Sequence, residues 1–361
     1  MKYKPDIHKA MENTKKWWHR ENIGRCAITV TAPKKQTAAL KKPAMPKNAH
    51  DKWTDFEYIK SNVDYNLQRT FFGGEAMPVW SCGYPGHDSI PAFLGCDVLL
   101  DEETGWWKPI IGDGELNSYD IESLVIDSSN KWWRHSQKYH AFANECSDKN
   151  SMPSVPAMGG TGDTLAALRG TERLLFDLVE QPETVKKFEE HLMTQWIAVY
   201  SHYYEMHKAQ NFGGSCNFFR CWAPGTFYIP SNDFSYMIST DMYERIFLDG
   251  LTRQIDFLDF SIYHVDGVEA FRHVDLLCGI KKLNALQILP GAGKPSPLYY
   301  MDILKKVQGC GKNLHISIPP HEVKTALDNL SSKGLMIDTF CENEEDARDL
   351  IDCAVKWSKF Y

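Results

Sequence analysis

His264 and Asp266 stand two apart in the run Tyr263-His264-Val265-Asp266-Gly267. On a strand, that spacing puts both side chains on one face. An imidazole, a carboxylate and a thiolate from a later strand end would make a three-ligand zinc site with one open position. Cys341, in Asp338-Thr339-Phe340-Cys341-Glu342, is the thiol that the chain order offers. The plainer reading makes His264 a hydrogen-bonded strand-end residue and Asp266 a helix cap. Cys341 alone would be a buried or surface thiol. Gln287 and His315 lie on neighbouring strand-like runs. Asp233, in Ser231-Asn232-Asp233-Phe234-Ser235, suits a substrate contact or a cap. Asp163 and Arg169 follow a Gly-rich strand end, as an anion site or a structural ion pair. Cys82 would react only if exposed with a lowered pKa. Trp222 and the other aromatics would wall a flat-ligand pocket or fill the core.

These residues need elements to position them. Residues 26–31 read as a buried, β-branched strand. Further strands are predicted over 154–158, 214–222, 261–265, 285–289, 314–318 and 334–339. Helices are predicted over 10–20, 55–70, 165–208 (broken near Gln181-Pro182), 239–258, 301–307, 321–330 and 342–357. Residues 33–50 read as a loop. Residues 73–114, with Trp80-Ser81-Cys82-Gly83-Tyr84-Pro85-Gly86 and Trp106-Trp107, read as irregular structure of the kind that covers a pocket. Strands alternating with helices mean a parallel sheet with helical crossovers. Roughly seven or eight such units predict an α/β chain, a single (β/α)8 TIM-like barrel over 1–361 with an irregular aromatic-rich N-terminal insertion. Reactive residues would then sit at the C-terminal ends of the strands. An open doubly wound sheet lacks its G-x-G-x-x-G signal, since Gly291-Ala292-Gly293 is too short, and there is no P-loop.

Composition sets further limits. The 361 residues are 43% apolar, enough for a sizeable core. A net charge of -7 and a pI near 6.0 argue against a broad nucleic-acid face. The pairs Lys34-Lys35 and Lys41-Lys42 read as a solvated loop. No apolar signal core or membrane-length run is present, so a soluble, cytoplasmic protein is expected. None of the ten cysteines forms a CxxC pair.

The chain resembles the uroporphyrinogen decarboxylase superfamily, and more closely a branch described as corrinoid-protein or methyltransferase-like. The resemblance is carried by Ser231-Asn232-Asp233-Phe234, Met237-Ile238-Ser239, Tyr263 to Gly267, His273-Val274-Asp275, Gln287 to Gly293, Gly311-Lys312 and Asp163 to Gly170. It is strongest over residues 155–350. It implies the barrel fold. The Arg-rich N-terminal motif of the porphyrinogen decarboxylases is absent, which argues against that reaction. The superfamily also holds methylcobalamin:coenzyme M methyltransferases, which bind zinc through His-x-Cys and a distant Cys. His264 falls at the His, Asp266 at the first Cys and Cys341 near the second. The resemblance thus implies zinc on His264, Asp266 and Cys341, with catalysis at His264, Asp266 and Glu342. Asp233, Tyr263, Gln287, His315 and Trp222 would contact a small substrate. A carboxylate in place of a thiolate makes an oxygen substrate, such as a methyl ether or alcohol, more fitting. No D-x-H-x-x-G motif is present, so the corrinoid (a cobalamin) would arrive on a partner protein. A homodimer is the expected assembly. Two other readings stay open. One is a metal-free decarboxylase or lyase, with Asp266 or His264 as acid/base and Arg169 or Arg220 pairing a substrate carboxylate. The other is a non-catalytic barrel that captures a small cofactor or tetrapyrrole.

Overall fold

A computed structural model describes residues 1–35, 40–83 and 85–361. Part of the predicted 33–50 loop, residues 36–39, and Tyr84 of the aromatic stretch lie outside the described residues. The strands, in chain order, are β1 (Ala27–Pro33), β2 (Thr70–Gly74), β3 (Val79–Trp80), β4 (Asp97–Leu100), β5 (Gly105–Lys108), β6 (Met152–Pro153) and β7 (Ser215–Cys216). They continue with β8 (Trp222–Ala223), β9 (Phe227–Tyr228), β10 (Phe260–Asp266), β11 (Ala285–Leu289), β12 (Asn313–Ser317) and β13 (Leu335–Phe340).

One seven-stranded ladder runs β2-β1-β13-β12-β11-β10-β9. From β9 to β1 its pairings are parallel, and β2 closes the edge antiparallel to β1. The α/β class is therefore as expected. The closed eight-stranded barrel is met only in part, because β3–β6, β4–β5 and β7–β8 form separate pairs. The strands β3, β6, β7 and β8 are each two residues long, and Pro153 has no N–H to give a ladder.

Registry decides which side chains meet. His264 lies opposite Gln287, and Gln287 opposite His315. Ser317 and Thr29 both lie opposite Asp338. Strand alternation puts these residues on the inner face, while Tyr263 and Val265 turn outward into the main apolar cluster. Below this polar row, Ala27, Ile262, Ala285 and Met336 form an apolar floor with Trp17 and Trp18 of the helix Ile7–Trp18. Each large side chain so buried contributes about 1.5–3 kcal/mol. Trp18 is fixed in direction too, since its Nε1–H donates to the Trp222 carbonyl at 3.0 Å.

Helix boundaries depart from expectation for local reasons. The predicted 165–208 helix is three: Thr161–Arg169, Thr171–Glu180 and Pro182–His207. Gly170, at φ 91°, makes the first break, and Pro182 starts the last helix. The predicted strand 214–222 is β7 and β8 joined by a turn, and the strand predicted at 154–158 is β6 instead. The helix Lys131–Ser147 was not predicted; Asn130 caps it by accepting from the N–H groups of Trp132 and Trp133. The 73–114 stretch carries the hairpin β4–β5. Among the described residues, no helix is long and apolar enough to cross a membrane.

Candidate functional site

His264 and Asp266 share the inner face at the C-terminal end of β10, with His264 Nε2 3.9 Å from Asp266 Oδ2. Gly267 follows at φ 90°, a turn that a side chain would obstruct, because a Cβ there would stand 2.6 Å from the Tyr236 ring. The segment before Asp233 runs alongside β10: Ser231 bridges to His264, and His264 N–H donates to the Pro230 carbonyl at 2.9 Å. Asp233 is thereby brought to the same point. One ligand atom from each of Asp233, His264 and Asp266 lies within 4.8 Å of the others.

A hydrogen-bond chain sets the imidazole. His264 Nδ1–H donates to Gln287 Oε1 at 2.6 Å, and Gln287 Nε2–H donates to His315 Nδ1 at 3.1 Å. Nε2 of His264 is therefore the ring nitrogen left to face the two carboxylates. Burial pushes the His315 pKa down to about 4, against the pull of Asp338, so the ring at the end of the chain is neutral. Asp338 in turn accepts from Thr29 Oγ1 at 2.6 Å and from Ser317 Oγ at 3.4 Å.

The carboxyl groups repel one another. Desolvation by the surrounding protein, then the Asp163 charge, push Asp233 up to about 7, with His264 opposing. Asp233 keeps an exposed face, so solvent moderates this push. Burial also raises Asp163, although it accepts from Phe234 N–H at 2.8 Å and Ser231 Oγ at 3.3 Å. A site that crowds carboxylates in this way gains by binding a cation.

The group opens onto a cavity of about 740 Å³. Trp106, Trp107, Phe218, Phe219, Tyr228 and Phe234 are among its walls, with Asp163, Asp233 and His264 at one side. Phe219 and His264 lie 6.2 Å apart, ring centre to ring centre. Among the described residues, no Lys or Arg lines this cavity. A second opening of about 550 Å³ lies at the ends of β1, β12 and β13 and includes Arg220, Ser317 and Asp338.

The residues singled out by sequence thus fall into two sets. His264, Asp266, Asp233, Gln287 and His315 come together. Cys341 is not in the ligand group; it is buried in the main apolar cluster, and its N–H donates to the Thr31 carbonyl at 2.9 Å. Burial raises its thiol pKa. Tyr263 faces the helices, its hydroxyl 2.7 Å from that of Tyr243. Trp222 is buried, and its Nε1–H donates to the Asn211 carbonyl. Glu342 is exposed beyond β13. Arg169 is committed to a buried pair with Asp177 at 2.6 Å, so of the two earlier alternatives the structural ion pair holds. Cys82 is pushed up to about 12 by burial, the opposite of an activated thiol. Thr29 and Asp338 carry no role in the sequence reading; the signal for them was their place one inward position beyond Met336 and Ala27 on adjoining strands.

No protein-family model matches the chain, and no curated protein does. Among solved structures the chain is similar to a methyltransferase from Methanosarcina mazei, at 10% identity and a TM-score of 0.63. The likeness covers 96% of this chain and 98% of that one. At that identity the two share a fold along nearly their whole lengths.

Proposed function

We propose that this chain is a metal-dependent methyltransferase that moves a methyl group between a small substrate and a corrinoid carried by a separate protein. The observation that carries the reading is the convergence of Asp233, His264 and Asp266 at a strand end beside the aromatic cavity. One imidazole and two carboxylates suit zinc or a similar divalent ion. The fit is supported by the repulsion among the carboxyl groups and by Gln287, which fixes the nitrogen of His264 that would not bind metal. In this reading Asp233 takes the third place, and Cys341 does not.

A bound zinc would supply Lewis acidity toward the heteroatom that loses or gains the methyl group. The chain's own residues do the rest. The aromatic walls orient a flat substrate and exclude water. As one of the three ligands, Asp233 would be ionised when the metal is bound. In the forward direction the methyl–heteroatom bond would break with the pair left on the heteroatom, whose charge the metal held by Asp233, His264 and Asp266 would stabilise, and the methyl would pass to the reduced corrinoid of the partner protein. The fold likeness to a protein described as a methyltransferase supports the class of reaction.

The raised Asp233 beside His264 also favours a second reading, a metal-free lyase or decarboxylase with these two as acid and base. Metal content decides between them. Protein reconstituted with zinc should hold about one ion per chain, lose it in Asp266→Asn, and methylate free cob(I)alamin from a suitable donor. Zinc-free protein with metal-independent turnover of a carboxylate substrate would end the methyltransferase reading.

A further inference from the structure

Arg220 sits in the turn between β7 and β8 with its backbone in the left-handed region, at φ 60°. A long side chain seldom takes that conformation, and such strain persists only where the surroundings over-determine it. Here they do: Arg220 N–H donates to the Asn217 carbonyl at 3.0 Å, and the Arg220 carbonyl accepts from Met77 N–H at 3.2 Å. The turn parts the two openings at the strand ends. Phe218 and Phe219 line the 740 Å³ cavity, while Arg220 lines the 550 Å³ opening at the ends of β1, β12 and β13.

Arg220 is half-buried, and its guanidinium makes no hydrogen bond or ion pair among the described residues, nor is it sealed from solvent. Asp338 lines the same opening and is also half-buried. Its Oδ1 accepts from Thr29 and its Oδ2 from Ser317. An ionised carboxylate has about four acceptor sites, so it can take a further donor. Arg220 and Asp338 do not pair with one another, yet among the described residues they are the charged side chains of this opening. A ligand of one sign would gain from one of them and be repelled by the other. A ligand that carries both signs answers both. Ile318, Pro319 and Phe340 give the opening an apolar side.

We infer that this opening binds a small zwitterion, an α-amino acid, with its carboxylate on Arg220, its ammonium on Asp338 and its side chain against the apolar wall. A guanidinium matches a carboxylate with two parallel N–H donors. This goes beyond the proposed methyl transfer and does not depend on the metal group.

Isothermal titration of the full chain compares L-norvaline with pentanoate and butylamine, which are norvaline without its amine and without its carboxylate. Norvaline should bind at least about tenfold tighter than either. Arg220→Gln should weaken norvaline about tenfold. Asp338→Asn, of the same shape as the parent, should weaken it about as much and leave pentanoate no weaker. Circular dichroism shows whether each variant is folded. Asp266→Asn, which removes a residue of the proposed metal group, should leave norvaline within about twofold. No binding of norvaline, equal affinities for the three ligands, parent affinity for norvaline in either folded variant, or loss of norvaline binding in Asp266→Asn overturns the assignment.

Discussion

His264 Nδ1 and Gln287 Oε1 meet at 2.6 Å across β10 and β11, from residues that the register places directly opposite. One amide thus chooses the tautomer of the imidazole that faces Asp233 and Asp266. Gln287→Leu removes this acceptor and also the donor to His315. We expect zinc affinity to fall by about 10–100-fold, and stability by about 1–3 kcal/mol. Competition with a chromophoric chelator, alongside urea unfolding, measures both; unchanged affinity would mean that the tautomer is set elsewhere.

The proposed zinc site draws its third ligand from Asp233, where the sequence alone offered Cys341. Asp233→Asn should lower zinc content, while Cys341→Ser should leave it intact, since that thiol lies in the apolar cluster. Elemental analysis of the two proteins, purified in parallel with zinc, gives the answer. Zinc lost from Cys341→Ser and kept in Asp233→Asn would return the thiol to the metal.

The raised Asp233 pKa has a defined sign in stability. Its folded-state value, about 7, stands above the unfolded value. Its contribution is therefore fully present below the unfolded pKa, about 4, and is lost as pH rises through about 7. A cation bound by the carboxylate reverses that loss. Zinc should accordingly raise Tm more above neutral pH than below it, and Asp233→Asn should flatten the difference. Scanning calorimetry with and without zinc on each side of neutrality checks this.

Asp88 shows the opposite sign. Burial alone would raise it, but His140, whose Nε2 lies 2.8 Å from Asp88 Oδ2, brings it down to about 2. Its contribution is present above the unfolded pKa, about 4, and is lost as pH falls through about 2. Asp88→Asn should cost about 3 kcal/mol at mildly acidic pH, with the gap from the parent closing as pH drops. Parallel acid-unfolding curves for the two proteins would contradict it.

Arg169 and Asp177 are both buried, so removing one strands the other. Asp177→Ala should cost about 3–5 kcal/mol without changing zinc content. Urea midpoints measure the cost.

The sequence was most readable where strands are long. From β10 to β13, apolar runs interrupted by inward polar residues marked both the strand and its polar positions, and β11 falls on its predicted bounds. In the N-terminal half the helices Ile7–Trp18 and Phe56–Arg69 and the strand β1 were legible, and the short strands were not. A two-residue strand such as β3 or β6 has no periodicity to detect. The helix Lys131–Ser147 buries Trp132, Ser136, Tyr139, His140 and Ala143, a true helical stripe masked by polar members. Asp233 was placed as a substrate contact because caps and ligands look alike in sequence. Only the bridge from Ser231 to His264 brings it beside His264 and Asp266.

The interrupted wall also divides what the protein can change from what it must keep. In the continuous ladder polar residues answer to neighbours on the next strand, His264 to Gln287, Gln287 to His315, and Asp338 to Ser317 and Thr29. The hairpin β4–β5 that carries Trp106 and Trp107 belongs to no such row. Exchange of that hairpin, or of the turn after β7, would therefore leave the polar row of the ladder unaltered.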